Sequence, residues 1–263
     1  MLKISQYVKV SSLEEAYELN QKKNNVIIGG MHWLKMMDKM VGTAIDLSGL
    51  GLDQIVETED AFEIGCMVSL RQLEKHEGLN QYTAGAVADA VKDIVGVQFR
   101  NTATVGGSIY GRYGFSDVLT VFMALDTTVV CHAGGEISLQ EFAKMPPDRD
   151  ILVKLIVKQS PVKVAYVAQR HAKTDFPILA CAVSFLNGRW NAAVGARPGR
   201  AELVTDTEKM VSEVATAEEA TAFGKFAAEQ LRYNTNMRGS AEYRKQITPV
   251  LVKRAMLAAE KGC

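Results

Sequence analysis

The sequence predicts an α+β protein assembled from three successive stretches. Over about residues 1–55 short strand-like and helix-like segments alternate in a β–turn–α–β rhythm. Over about 56–160 apolar alternation of period two is interleaved with short helical patterns. After Ser160-Pro161 come three strand-like segments and then two helical ones. The reading is one domain over 1–160, in two parts of about 1–55 and 56–160, followed by a second over 161–263.

The elements follow in order. Ser12 and Glu15 form a capping-box pattern ahead of a helix whose Leu13, Ala16 and Tyr17 share a face. "VII" (26–28) reads as a buried strand, broken by Gly29-Gly30 before a short helix beginning near His32, and "AIDLSGL" as a further strand. Phe62, Ile64 and Cys66 alternate as in a strand, and Ser69 with Gln72 caps the next helix. "QYTAGAVADAVKDIV" is expected to be one helix. Asp117 is expected to cap "VLTVFMAL", with "TTVVCHA", a Gly134-Gly135 turn and the strand "ILVKLIVK" beyond it. In the last hundred residues "VKVAYVAQR", "PILACAVSF" and "RWNAAVG" read as strands, with Asn187-Gly188 as a hairpin turn between the latter two. Two helical stretches follow, and Pro249 is expected to kink or break the second.

Bulk properties exclude several classes of function. Lysine plus arginine and aspartate plus glutamate both total 30, so no net basic charge points to nucleic acid. No apolar run approaches the roughly 20 residues of a membrane span, and the first residues lack a signal-peptide core. Cys66, Cys131, Cys181 and Cys263 are scattered without C-x-x-C spacing, and His32, His76, His132 and His171 are equally dispersed. This argues against an iron–sulfur or zinc site in the chain and for reduced thiols in a cytoplasmic protein.

The middle of the chain holds the most unusual stretch, "RNTATVGGSIYGRYGFSD" (100–117), rich in glycine and hydroxyl residues. Gly106-Gly107 follows "TATV" much as Gly29-Gly30 follows "VII". Each pair reads either as a turn or as a run of backbone N–H groups open to phosphate oxygens, and two such pairs are compatible with a diphosphate held between subdomains. Neither a G-x-G-x-x-G after a strand nor a P-loop motif occurs, which disfavours Rossmann dehydrogenases and P-loop NTPases. Asp117 is either a helix cap alone or also a ligand for a ribityl or ribose hydroxyl. Tyr110 and Tyr113 either flank an aromatic ligand or anchor the loop, and Met36 and Met37 read as core filler.

Four of these segments, in this order, resemble the FAD-binding subunits and domains of the xanthine dehydrogenase and carbon monoxide dehydrogenase molybdenum hydroxylases. "VIIGGMHWLKMM" is similar to that family's first flavin loop. "FRNTATVGGSIYGRYGFSDVLTVFMALDTTVV" is similar to its most specific stretch, R-N-x-A-T-I-G-G-N, a spacer, then Asp and an apolar helix. "DILVKLIV" looks like the strand that closes the first domain, and "RGSAEYRKQITPVLVKRA" like the C-terminal helix.

The resemblance implies a two-part FAD-binding domain, a small α/β part plus an antiparallel-sheet part. It is followed by a C-terminal domain with a three-stranded antiparallel sheet and helices. It implies non-covalent FAD wrapped by Ile27, Ile28, Gly29, Gly30, Met31, His32, Trp33 and Leu34 together with Thr104, Gly106, Gly107 and Ser108. Asp117 would contact the same region and Leu152 would pack on the isoalloxazine. It implies electrons arriving from [2Fe–2S] clusters on a small partner, a molybdenum cofactor on a large partner, and NAD or another acceptor. No side chain here need act as a catalytic acid or base.

The chain departs from the pattern at Ser108, where Asn is usual, at the bulky Met31-His32-Trp33, at Ala168, where some relatives carry lysine, and at "GRYGFS". Two rival readings are a free-standing FAD-dependent oxidoreductase and a flavin-free assembly subunit.

Overall fold

The computed structural model describes residues 1–262; Cys263, one of the four scattered thiols, lies outside the described residues. The chain begins with β1 (Lys3–Lys9), α1 (Leu13–Asn20), β2 (Val26–Ile28) and β3 (Met40–Asp46). These make a small parallel sheet of order β1-β3-β2. Ser12 Oγ accepts the Glu15 N–H at 3.1 Å, as the capping pattern requires. Glu15 does not complete the box, because its carboxylate takes the N–H of Ser11 instead. The short helix expected near His32 is a single 3-10 turn, Leu34–Met36.

The middle stretch adds β4 (Ile55–Glu57), β5 (Ala61–Gly65), α2 (Leu70–Lys75), α3 (Glu77–Tyr82), α4 (Ala86–Val91), α5 (Val97–Arg100), α6 (Val105–Tyr110) and α7 (Asp117–Met123). After these come β6 (Thr127–Cys131), β7 (Gly135–Ser138), α8 (Leu139–Lys144) and β8 (Leu152–Lys158). Its antiparallel sheet has the order β4-β5-β8-β6-β7. The single helix expected over 81–95 is two, α3 and α4. Ala84 and Gly85 between them are left-handed (φ 47° and 81°), and that conformation ends a helix. Glycine pair 106-107, expected in a loop, lies inside α6. All seven residues of α7 are buried, which explains the apolar run "VLTVFM".

The last stretch comprises β9 (Lys163–Gln169), β10 (Leu179–Leu186), β11 (Arg189–Gly195), β12 (Glu202–Thr205), α9 (Ala217–Gln230) and α10 (Ala241–Ala259). Its sheet has four strands, β12-β11-β10-β9, rather than the three expected. The fourth is only four residues long, too short for alternation to announce it. Asn187 and Gly188 (φ 53° and 72°) make the expected hairpin turn. One face of this sheet packs on α4 and α7, the other on α9 and α10. Residues 179–184 of β10 are therefore buried on both faces. The larger apolar cluster accordingly runs on past residue 160, through Val164, Ala180, Ala182 and Ala193.

Pro249 neither breaks nor divides α10, which continues through it. Gly224 of α9 lies against it, since a Cβ there would come within 2.8 Å of Pro249 Cα. Close packing with α9 and β10 outweighs the one helical hydrogen bond that proline forfeits.

Candidate functional site

A cleft of ≈ 540 Å³ opens where the β2–β3 loop, the start of α6, the start of α7 and the β9–β10 connection meet. Its size is that of a small-molecule or cofactor site. Ile27, Ile28, Gly29, Gly30, Met31, His32, Trp33 and Leu34 all line it, as do Thr104, Gly107, Ser108 and Asp117. Residues separated by about seventy positions in sequence thus share one wall.

The first loop is clamped to the second by close contact. A Cβ on Gly30 would lie 2.2 Å from the Thr102 carbonyl oxygen, and one on Gly29 2.8 Å from Thr104 Oγ1. His32 stacks on Phe99 with centroids 3.7 Å apart and shares a 2.8 Å hydrogen bond with Thr102 Oγ1. Burial, with the nearby Lys35 charge, holds the His32 pKa below the ordinary value, so the neutral ring is favoured. Met31 adopts φ 58°, a left-handed conformation uncommon outside glycine. Among the described residues the backbone N–H groups of Gly29, Gly30, Met31 and His32 donate to no group of the chain.

The second segment differs. The Val105 N–H donates to Val68 O, Gly106 N–H to Cys66 O and Ser108 N–H to Thr104 O. The Gly107 N–H donates to Thr104 Oγ1 at 3.1 Å, making Thr104 the N-cap of α6. Ser108 Oγ in turn donates to Thr104 O at 3.0 Å. Gly107 is exposed, and a Cβ there would meet only Thr104 Oγ1, but tightly, at 3.2 Å.

Two expected residues stand outside the cleft. Gly106 is a packing glycine, because a Cβ there would lie 2.7 Å from the Cys66 carbonyl oxygen. Leu152 is buried in the core beside the β6–β8 bulge, paired with Cys131. Its position on the middle sheet keeps it off the cleft wall.

Asp117 is not the cap of α7. That role belongs to Ser116, whose Oγ accepts the Leu119 N–H at 3.1 Å. Asp117 is instead the first helical residue, buried in the cleft wall. Its Oδ1 accepts from the Tyr166 hydroxyl and pairs with Arg170 Nη2 at 3.0 Å. Burial pushes the Asp117 carboxyl above the usual range, against the pull of Arg170 and Tyr166. For Arg170 burial works against the charge, but Asp117 outweighs it and the pKa rises. The result is a buried ion pair joining α7 to the β9–β10 connection. Arg170 and Tyr166 escaped sequence reading because the partner of Asp117 lies about fifty residues away.

The two tyrosines part company. Tyr110 anchors its loop, donating to Asp148 Oδ1 at 2.6 Å and packing on Phe142. Tyr113 lines the cleft together with Trp33, Phe115 and Phe176. Met36 and Met37 are not core filler: they are 74% and 44% exposed at the cleft rim, because the turn that carries them projects from the sheet. Ala168 sits in β9 opposite Ala180, partly buried against the core.

Among the described residues no cluster of histidine, cysteine or acidic side chains forms a metal site. No helix is long and apolar enough to cross a membrane. Burial pushes the thiols of Cys66 and Cys181 up to about 12 and that of Cys131 to about 11, so they are inert.

Residues 2–159 match the family described as the FAD binding domain in molybdopterin dehydrogenase. The chain is 27% identical over 258 residues to the uncharacterized protein YgfM of Escherichia coli K12, covering 95% of this chain and 94% of that one. It is 24% identical to the nicotine 6-hydroxylase medium subunit of Paenarthrobacter nicotinovorans, with 96% of each chain covered. Among solved structures, a chain of the carbon monoxide dehydrogenase of Hydrogenophaga pseudoflava superposes with a TM-score of 0.86 at 22% identity. That match covers 100% of this chain and 99% of the other, and shows the shared α+β fold. With a family match over the stretch that builds most of the cleft, the chain belongs to the FAD-binding domains of the molybdopterin dehydrogenases, the flavin-carrying part of molybdenum hydroxylase oxidoreductases.

Proposed function

We propose that this chain is the FAD-carrying electron-transfer subunit of a multi-subunit molybdenum hydroxylase. In this role it takes electrons from [2Fe–2S] clusters on a small partner and passes them to NAD or another acceptor. The observation that carries this reading is the first loop, whose four successive unpartnered N–H groups line a cleft also bordered by Gly107. Free N–H groups in sequence favour an anion such as a diphosphate, and an exposed glycine on the cleft wall lets it approach closely. The cleft residues therefore fit a dinucleotide. When bound, FAD supplies a store for two electrons, and the redox chemistry is the cofactor's own.

The chain's residues bind and orient. Gly29 to His32 hold the diphosphate, Thr104 fixes the turn that presents Gly107 and Ser108, and Asp117 lies on the same wall. On this reading residues 1–160 carry the cofactor, and 161–263 close one end of the cleft through Arg170 and Phe176. The molybdenum centre belongs to a large partner, where the substrate is oxidised, and the chain works in the cytoplasm. The medium-subunit relative supports a heteromeric complex.

Native purification with size-exclusion chromatography, flavin extraction and metal analysis tests the reading. The expected result is acid-releasable FAD on this chain, co-eluting with iron and molybdenum on two other chains. Yellow colour retained on acid-precipitated protein would contradict non-covalent binding. A lone monomer with full substrate turnover and no iron or molybdenum would sink the subunit role.

A further inference from the structure

Trp33, Tyr113, Phe115 and Phe176 come from three separate segments and gather in the cleft. Trp33 lies 5.8, 5.4 and 5.9 Å from the other three ring centroids. Tyr113 and Phe115 stack at 5.2 Å and 11°, and Phe115 meets Phe176 edge-on at 4.7 Å.

The loop bearing two of them is shaped for the purpose. A Cβ on Gly111 would strike the Tyr113 ring at 2.4 Å, and one on Gly114 would strike Gly199 O at 2.6 Å. Arg112 between them is left-handed (φ 47°), and Ala196 N–H donates to Gly114 O. Yet Trp33 remains 39% exposed, and the other three rings are only half-buried. A rigid loop thus holds aromatic faces partly in water inside a cleft, an arrangement that a planar ring would complete.

We propose that these four residues form a one-sided stacking platform for a planar ring of the bound dinucleotide, with Trp33 and Phe115 supplying most of the contact. The proposal rests on the FAD reading and extends it from Trp33 of the first loop to Tyr113, Phe115 and Phe176, outside the two glycine pairs. The ring lies against the cluster and not within it. Sandwiching a ring takes two van der Waals contacts, a separation of about 7 Å, and each measured pair of these rings is closer than that. Both the isoalloxazine and the adenine of FAD have the required chemistry.

The test is FAD titration of the flavin-stripped full-length protein and its Trp33→Ala, Phe115→Ala and Trp33→Phe variants, with visible absorption recorded throughout. Loss of a stacking aromatic is expected to weaken FAD binding about five- to 150-fold, with Trp33→Phe restoring most of it. A changed flavin band in Trp33→Ala assigns the platform to the isoalloxazine. An unchanged band with weakened binding assigns it to adenine. Parent-like affinity in both alanine variants, with native circular dichroism, overturns the platform and leaves the FAD reading standing. Failure of the parent itself to take up FAD overturns that reading, and the platform with it.

Discussion

At Gly29-Gly30 the chain leaves a strand at the edge of a parallel sheet and enters a loop whose N–H groups from Gly29 to His32 have no partners among the described residues. At Gly106-Gly107 a similar dipeptide lies inside a helix whose first N–H groups are all taken, by Cys66, Thr104 and Val68. The same two letters therefore serve different physical ends. The first pair supplies donors and close contact with the Thr102–Thr104 segment. The second supplies one packing glycine, Gly106, and one exposed glycine on the cleft wall, Gly107, whose Cβ would crowd only Thr104 Oγ1. A backbone N–H exposed in a loop is available to a ligand; one consumed by a cap is not, whatever the sequence around it.

The sharpest way to break this comparison is charge at the open position. Gly107→Asp should leave the fold largely intact, since its Cβ crowds only one side-chain atom, Thr104 Oγ1 at 3.2 Å, which can shift by a few tenths of an ångström. Coulomb repulsion from a diphosphate about 4 Å away is roughly 4 kcal/mol at an effective dielectric near 20. Affinity for FAD should fall about a thousandfold, measured by titration of the stripped protein. Normal FAD content would put the diphosphate elsewhere.

Steric change at the closed position comes next. Gly30→Ala drives a Cβ onto the Thr102 carbonyl, backbone against backbone, so the two loops must part. Chemical denaturation should show a loss of about 1–3 kcal/mol, together with weaker flavin binding. Unchanged stability would mean that the loops are not in contact in solution.

Thr104→Ala probes the consumed donors. It removes the acceptor for Gly107 N–H and should cost about 1 kcal/mol, with a smaller effect on FAD than Gly107→Asp has. If instead it abolished binding while stability held, the Thr104 hydroxyl would be a direct ligand and not a cap.

The smallest effect is the titration of His32. Its pKa lies below the ordinary value of about 6.5, so the fold favours the neutral ring. The folded state then binds fewer protons than the unfolded one across that interval. Its contribution is present above the ordinary value and is lost as pH falls through the lowered one. An NMR titration should place the ring below 6.5, with faster amide exchange in residues 29–34 at acid pH. A ring titrating at or above the ordinary value would place His32 outside the clamp.

Legibility followed the range of the interactions involved. The strands 26–28, 61–65 and 152–158 and the Asn187-Gly188 turn are set by neighbours within a few positions, and the sequence displays them. Most of the cleft wall was also legible, through two of the four ordered segments that resemble the family pattern, 26–37 and 99–130. What failed were local readings that a distant contact overrides. Asp117 looks like a cap, yet Ser116 takes the cap and Asp117 turns to Tyr166 and Arg170. Pro249, expected to kink or break its helix, does not break it, because α9 and β10 hold α10 together around it. Met36 and Met37 look like filler, yet the turn that carries them points out at the cleft rim.

By itself the sequence determined the fold class, most of the strands and helices in their order, and the two glycine pairs as expected points of close backbone approach. Apolar periodicity, caps and turn residues act over a few positions, so they can be read in one dimension. Only the tertiary structure decided which backbone donors stay free, which glycine faces the cleft, that Arg170 neutralises Asp117, and that four aromatic rings from three segments converge. Each of these depends on groups far apart in the chain meeting within a few ångströms. For Arg170 and Phe176 that distance is set by how the third sheet packs on α4 and α7, and for the glycines by how the first loop meets the Thr102–Thr104 segment; no local pattern encodes either.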